Sequence, residues 1–443
     1  MKFLILLAQQ HEEFRITELQ SLADIYGIKL DLSNYIPESP FLIVDFDSCE
    51  DAKKVVERSI LTRAVYELYA TGATLEDLHT GTKECKSQWE KYIDESVSFK
   101  FDYFGYKGSR VRKDIVKRFE SFSFMELPGP IRMKNPDQVF TLFEQYKVVG
   151  QNPEAEPRKM WFGRLVSETF RHYADELDLK KRKYIGTTSF DAELALVSCN
   201  IAQITPGKVL YDPFAGTGSF LVAGSKLGAL TVGSDIDFRM LKGKSAQCNI
   251  DSNFKQYKLT NKYLDVMTMD FTHNAFRSSF LFDAIVCDPP YGVREGLKVL
   301  GSKDEEKFAG KENVLIDGVL AHLRKDYIQP KKPYEFNALL DDLLEFSAKH
   351  LTPKGRLCFW MPTANAEFQE HHIPLHPDLE LNACCIQDFN KWSRRLLVYT
   401  RRPYGEKGEA NSVKGISSEE FRDKYFRGFS AQKKEQESKK LAE

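Results

Sequence analysis

The residues best suited to chemistry stand at Asp288-Pro289-Pro290-Tyr291-Gly292, directly after the apolar run Phe282-Asp283-Ala284-Ile285-Val286-Cys287. Proline cannot continue a sheet ladder or easily enter a helix interior, so a strand that stops at Asp-Pro-Pro ends in a stiff turn. The turn presents a carboxylate, a proline carbonyl and an aromatic ring at the carboxyl end of a strand, where open α/β sheets bind ligands. These groups suit a flat ring carrying an exocyclic amine. Such an amine is a poor nucleophile because its lone pair is delocalised into the ring. Two N–H bonds, one to Asp288 and one to the Pro289 carbonyl, would draw the nitrogen toward tetrahedral geometry and aim its lone pair at an electrophilic methyl. Pro290 stiffens the turn, Asp288 offsets charge developing on nitrogen, and Tyr291 stacks on the ring. Catalytic roles are therefore expected of Asp288, Pro289, Pro290 and Tyr291.

A methyl donor needs a holder of its own. Asp212-Pro213-Phe214-Ala215-Gly216-Thr217-Gly218 reads as a strand end, a tight glycine loop and a helix start. Position 221 is Leu, so the three-glycine dinucleotide fingerprint fails. Asp235 closes the next strand, where an acidic side chain can accept hydrogen bonds from ribose hydroxyls. Asp270, at the following strand tip, suits an adenine amine. Asp212, Phe214, Gly216, Gly218, Asp235 and Asp270, with Thr188 upstream, form the expected cofactor-binding set. S-adenosyl-L-methionine fits this set better than NAD, because nothing in it holds a pyrophosphate over three glycines.

The elements that must position these groups alternate strand and helix from Lys208 to Thr400, which predicts a mostly parallel, doubly wound α/β sheet. Ile236 to Asn253 is expected as one helix. The N-terminal half differs. Residues 3–8 and 41–46 read as strands, and Glu12–Tyr26 and the stretch after Ser48 as helices, a small α+β unit of ferredoxin-like size. Val97–Tyr106 alternates as a half-exposed strand, and a helix is expected through Phe140, Leu142, Phe143 and Tyr146. Lys107, Arg110, Arg112, Lys113, Lys117 and Arg118 beside Tyr103, Phe104 and Tyr106 fit a phosphate-contacting face. Lys181 and Arg182, in a basic stretch resembling a linker, join the RNA-binding set.

Composition bounds the rest. With 443 residues, 42% hydrophobic and 29% charged, the chain can bury two or three domain cores. The net charge is −1, so a nucleic-acid surface must be a local basic patch. Eight cysteines without Cys-x-x-Cys spacing point to a reducing, cytoplasmic compartment, with neither a disulfide framework nor a zinc site. His371 and His372 lack a sensibly spaced third ligand, so no metal is expected. No window reaches the roughly 18 apolar residues of a membrane span. The insertion Val293–Glu335 carries Arg294, Lys298, Arg324, Lys325, Lys331 and Lys332 against nearly equal acids, and reads as a lid or RNA-contacting loop. In the charged tail, Phe421, Tyr425 and Phe429 predict one docked helix.

The glycine-loop and Asp-Pro-Pro-Tyr motifs together resemble the amino-methyltransferases of the class I fold. Further signatures are Leu179-Lys180-Lys181-Arg182, Gly186-Thr187-Thr188-Ser189-Phe190 and Asn390-Lys391-Trp392-Ser393-Arg394-Arg395-Leu396-Leu397-Val398-Tyr399. Through them, from about residue 1 to 430, the chain is similar to the catalytic subunits of eukaryotic tRNA (guanine-10-N2)-methyltransferases, which are THUMP-domain class I methyltransferases. The resemblance implies a ferredoxin-like domain at 1–84, a THUMP RNA-binding domain at 85–170 and a basic linker at 171–187. A Rossmann-like methyltransferase domain with a mostly parallel seven-stranded sheet follows at 188–403, then a charged tail at 404–443. It also implies methyl transfer from S-adenosyl-L-methionine to the N2 amine of guanosine 10 in tRNA, and a heterodimer with a small zinc-binding activator subunit. In the strand order usual for this fold, 3-2-1-4-5-7-6, the third strand, Tyr263–Met269, is an edge open to strand addition by that partner. Two other functions stay open on the residues alone. Asp-Pro-Pro-Tyr also serves the N6 amine of adenine in DNA or RNA, and the N-terminal half would suit an RNA-binding assembly subunit that does not methylate.

Overall fold

Lys2–Leu7 (β1) is an inner strand in the computed structural model of the chain. Phe3, Ile5 and Leu7 enter one core while Leu4 and Leu6 enter another, as the two-residue period of a strand requires. Each such side chain, fully buried, contributes about 1.5–3 kcal/mol. The structure describes residues 1–150, 152–292, 297–302, 314–324, 327, 330–365, 368–389 and 392–411. Arg294, Lys325, Asn390, Lys391 and the expected tail helix lie outside them. Two units are distinguished, Met1–His172 and Tyr173–Glu443.

In the first unit β1 is joined by β2 (Phe41–Asp45), β3 (Thr62–Gly72), β4 (Phe99–Tyr106) and β5 (Gln138–Gln145). A small ribbon, β6 (Val148–Val149) with β7 (Asn152–Pro153), precedes β8 (Lys159–Glu168). The six-stranded sheet runs β2-β1-β3-β8-β5-β4 and is antiparallel except between β4 and β5. Strands from both sides of residue 84 therefore share one sheet. The helix expected through Phe140 and Tyr146 is instead β5. Phe140 and Leu142 pack on one face and Phe143 on the other, and a strand buried on both sides reads as a continuous apolar run that periodicity cannot tell from a helix. The second helix, Cys49–Val56, starts where Ser48 predicts, its hydroxyl accepting from the Asp51 amide.

The second unit contains β9 (Val209–Asp212), β10 (Leu230–Asp235), β11 (Tyr263–Thr268) and β12 (Phe282–Cys287). Within the insertion, β13 (Lys298–Leu300) pairs β16 (Lys331–Pro333), and β14 (Leu315–Ile316) pairs β15 (Val319–Leu320). The long β17 (Leu351–Ala364), β18 (Leu379–Phe389) and β19 (Trp392–Arg401) complete the unit. The seven-stranded sheet runs β11-β10-β9-β12-β17-β19-β18, parallel through β17 and antiparallel at β19 and β18. This is the expected order. Tyr211 stacks on Phe282 with centroids 4.6 Å apart, and helix Phe336–His350 covers that side of the sheet with Leu339, Leu340, Leu343 and Leu344. The single helix expected from Ile236 to Asn253 is two, Phe238–Lys242 and Ile250–Gln256. Gly243 ends the first with φ +73, and Asn249 opens the second with a capping box. Among the described residues, no helix is long and apolar enough to cross a membrane.

Candidate active site

Strands β10, β9 and β12 are parallel neighbours, so their carboxyl ends bring Asp235, Asp212 and Asp288 to one edge of the sheet. A cavity of about 1190 Å³ opens there. Asp288, Pro289, Pro290 and Tyr291 all line it, as do Asp212, Phe214, Gly216, Asp235, Asp270 and Thr188. Gly218 stands just behind, as N-cap of helix Ser219–Lys226 with φ +82. A Cβ there would meet Ile250 at an ordinary 3.4 Å, so backbone conformation rather than space calls for glycine.

The loop is tied at several points. Asp212 Oδ1 accepts from the Phe214 amide at 3.0 Å, and Asp235 accepts from Gly216 N at 2.9 Å and Asp237 N at 2.8 Å. Ser189 Oγ bonds Thr217 Oγ1 at 2.7 Å and accepts from Gly186 N at 2.9 Å, which fastens the Thr188 segment to the glycine loop. A carboxylate offers about four acceptor positions. Both Asp235 oxygens accept from these amides. Asp270 differs. Its oxygens take Thr272 N, Thr272 Oγ1, His273 Nδ1 and, from the insertion, Leu300 N at 2.8 Å. An adenine amine would have to displace one of these partners. The insertion reaches the cavity a second time through Lys298, Lys331 and Tyr334, with Lys331 Nζ donating to the Ile236 carbonyl.

The Tyr291 hydroxyl donates to Asp288 Oδ1. Burial raises the Asp288 carboxyl to about 6, against the lowering influence of Arg394 and of the Tyr291 hydrogen bond. Burial also pushes Asp212 well above the usual carboxylate range, and the charges of Asp235 and Asp288 add to it. By sequence, Trp392, Arg394 and Arg395 either line the substrate side or cap the last hairpin; Trp392 and Arg394 line the cavity, with Phe389. Strand alternation is the signal that separates Arg394 from its neighbour. Arg395 points to the other face, donating to Thr363 Oγ1 at 3.1 Å with its guanidinium 3.6 Å from the Phe368 ring centroid.

The expected RNA-contacting residues divide. Lys107, Arg112, Lys113, Lys117 and Lys181 are exposed. Arg110 is engaged within the first unit, its Nε 2.8 Å from Glu144 and its Nη2 2.6 Å from Glu156. Arg182 corrects the expectation made for it. It is 5% exposed, donates to Ser219 Oγ at 3.0 Å and to the Leu177 carbonyl at 3.3 Å, and is held below its usual pKa by burial. Leu177 and Tyr184 beside it are also buried, so this stretch is packed into the second unit.

A seven-stranded sheet in this order, with a glycine loop and acidic strand tips, defines a methyltransferase of the class I fold. Residues 1–171 match the family described as "Tmrp11 THUMP N-terminal domain", and residues 180–303 match "RMKL-like, methyltransferase domain". The chain is 49% identical over 432 residues to the tRNA (guanine(10)-N(2))-methyltransferase of Saccharomyces cerevisiae, covering 97% of this chain and 99% of the relative. The enzyme of the same name from Schizosaccharomyces pombe is 35% identical over 466 residues, covering 96% of each chain. The Gallus gallus relative, tRNA (guanine(10)-N(2))-methyltransferase TRMT11, is 29% identical, covering 96% of this chain and 95% of the relative. The chain belongs to the tRNA (guanine(10)-N(2))-methyltransferase family.

Proposed function

We propose that this chain transfers a methyl group from S-adenosyl-L-methionine to the N2 amine of guanosine 10 in tRNA. One observation carries the reading: the Asp288-Pro289-Pro290-Tyr291 turn and the Asp212–Gly218 loop open into a single cavity. When bound, S-adenosyl-L-methionine supplies an electrophilic sulfonium methyl. The residues of the chain do the rest. Asp235 accepts from the ribose hydroxyls, and the Gly216–Gly218 backbone lies close beneath them. Tyr291 occupies one oxygen of Asp288, which leaves Oδ2 to accept from the substrate amine together with the Pro289 carbonyl. Guanine presents N1–H and N2–H side by side, two donors that suit a carboxylate, whereas adenine places an acceptor beside its amine. Most of the acceleration comes from holding nitrogen and methyl in line, and part from Asp288 offsetting charge on nitrogen.

The exposed Lys107, Arg112, Lys113, Lys117 and Lys181 are the proposed contacts to the tRNA backbone. A small zinc-binding activator subunit is the proposed partner, adding a strand at β11. In support, β11 has one strand neighbour in the sheet, and Leu264 on it is 51% exposed. The test incubates the chain, with and without that partner, with methyl-labelled S-adenosyl-L-methionine and tRNA transcripts, followed by nucleoside analysis. Label is expected in N2-methylguanosine and absent when guanosine 10 is replaced by adenosine. Equal labelling of that replaced transcript, or label in N6-methyladenosine, refutes the reading.

A further inference from the structure

We propose that Arg394 is a positioning residue for Asp288: held rigidly by an aromatic cage, its guanidinium anchors Tyr291 and, through it, the carboxylate that accepts the substrate amine. The inference rests on the methyl-transfer reading above. Arg394 lies on β19, two strands from β12, a separation of about 10 Å that an arginine and a facing side chain bridge between them. Its guanidinium carbon is 4.9 Å from the ring centroid of Phe190, 5.2 Å from Trp360 and 5.4 Å from Phe389. Its Nε and Nη2 both donate to Gln387 Oε1, at 3.2 and 2.8 Å. The cage is itself fixed. Trp360 is fully buried with its indole N–H on Ser198 Oγ at 3.1 Å, and Phe389 stacks on Trp392 with centroids 4.5 Å apart. A planar cation stacked on several rings has little freedom to swing, which an ammonium on a flexible stem would not share.

Held there, Arg394 lines the same cavity as Tyr291 and Asp288, and its charge draws both toward their ionised forms. Tyr291 in turn donates to Asp288 Oδ1. The other groups facing Asp288 push the opposite way or are neutral. Asp212 comes from the end of β9, and Cys287 precedes Asp288 on β12, its thiol pushed well up by burial. Among the described residues around Asp288, Arg394 supplies the opposing positive charge. It thus has two tasks: fixing the side chain so that Oδ2 serves the substrate, and keeping a buried carboxyl ionised near neutral pH.

The test compares wild type with Arg394→Gln and Arg394→Lys, each assembled with its partner and given tRNA, from pH 5 to 9. In wild type, kcat is expected to fall on an acid limb near 6, where burial sets the Asp288 carboxyl. Arg394→Gln should move that limb up by about one pH unit, cut kcat roughly three-fold at pH 6.5, and leave the donor's KM within about two-fold. Arg394→Lys, which keeps charge but loses stacking, should fall between. An independent readout titrates the 13C-labelled Asp288 carboxyl by NMR, its resonance identified by its loss in Asp288→Asn. Its midpoint should rise in Arg394→Gln. An unmoved limb and midpoint, or a kcat lowered by one factor at every pH, overturns the proposal in favour of a merely structural arginine. A wild type that methylates no tRNA guanine refutes the functional reading instead, and the NMR midpoint then still decides the claim about Arg394.

Discussion

In the first unit, Glu18, Glu67 and Glu144 are fully buried and surrounded by donors. Glu18 accepts from Ser59 Oγ, Ile60 N and Leu61 N; Glu67 from Arg164 and Tyr69; Glu144 from Arg110, Tyr103 and Tyr146. Asp212, at the cavity of the second unit, is treated differently. Asp212 is 1% exposed, accepts from one amide, and lies near the charges of Asp235 and Asp288. A buried carboxylate set among cations, hydroxyls and amides braces loops and strands, even where, as at Glu67, one oxygen has only Lys91 at 3.9 Å, and one crowded by its own kind is destabilising where it stands. The second arrangement persists because the unspent lone pairs are what a ligand needs, the usual exchange of stability for activity.

This contrast can be broken at several points. Asp288→Ala should lower kcat roughly 10²- to 10³-fold with the far-UV circular dichroism unchanged, since it removes the acceptor for the amine. A variant retaining most of its turnover would place the chemistry elsewhere. Glu67→Gln should do the reverse. It weakens the pairing of Arg164 and should cost about 3 kcal/mol in urea unfolding, with turnover per folded molecule preserved. A cost below 1 kcal/mol would erase the distinction between bracing and poised acids.

Asp288→Asn sharpens it further. The folded carboxyl keeps its proton up to about 6, whereas the unfolded chain releases it near 3.8. The native state therefore binds more protons across that window, and stability falls as pH rises through it. The neutral amide escapes this loss. Its gain over wild type should grow from pH 4 to 6 and level off at no more than about 3 kcal/mol, read as Tm against pH. The smallest effect is expected at Ser48→Ala, which removes a helix cap and should cost about 1 kcal/mol without touching activity.

Much of the site was legible along the chain because its signals are local. Asp288-Pro289-Pro290-Tyr291 declares a stiff turn through two prolines, and Gly216 and Gly218 declare left-handed backbone, with φ +52 and +82. Strand ends could be placed within a residue or two of Asp212, Asp235 and Cys287. Other features were not legible. Phe140–Gln145 looks helical by its apolar density and is a strand because β8 and β4 flank it. Arg182 looks like a solvated linker cation and is buried under helix Ser219–Lys226. Nothing near Arg110 in sequence announces Glu144 or Glu156, which the fold brings to it.

By itself, the amino-acid sequence determined the strand-helix alternation of the second unit, where its strands stop, and which residue types stand at those stops. Backbone restriction by proline and glycine and the two-residue period of strands act within a few residues. Only the tertiary structure decided which of those residues keep their hydrogen-bonding capacity. Asp270 has spent its own on Thr272, His273 and, from a distant insertion, Leu300. Arg394 shares a cavity with Asp288 because the sheet order sets β19 two strands from β12. Such partnerships depend on long-range pairing and burial, and no local pattern encodes them.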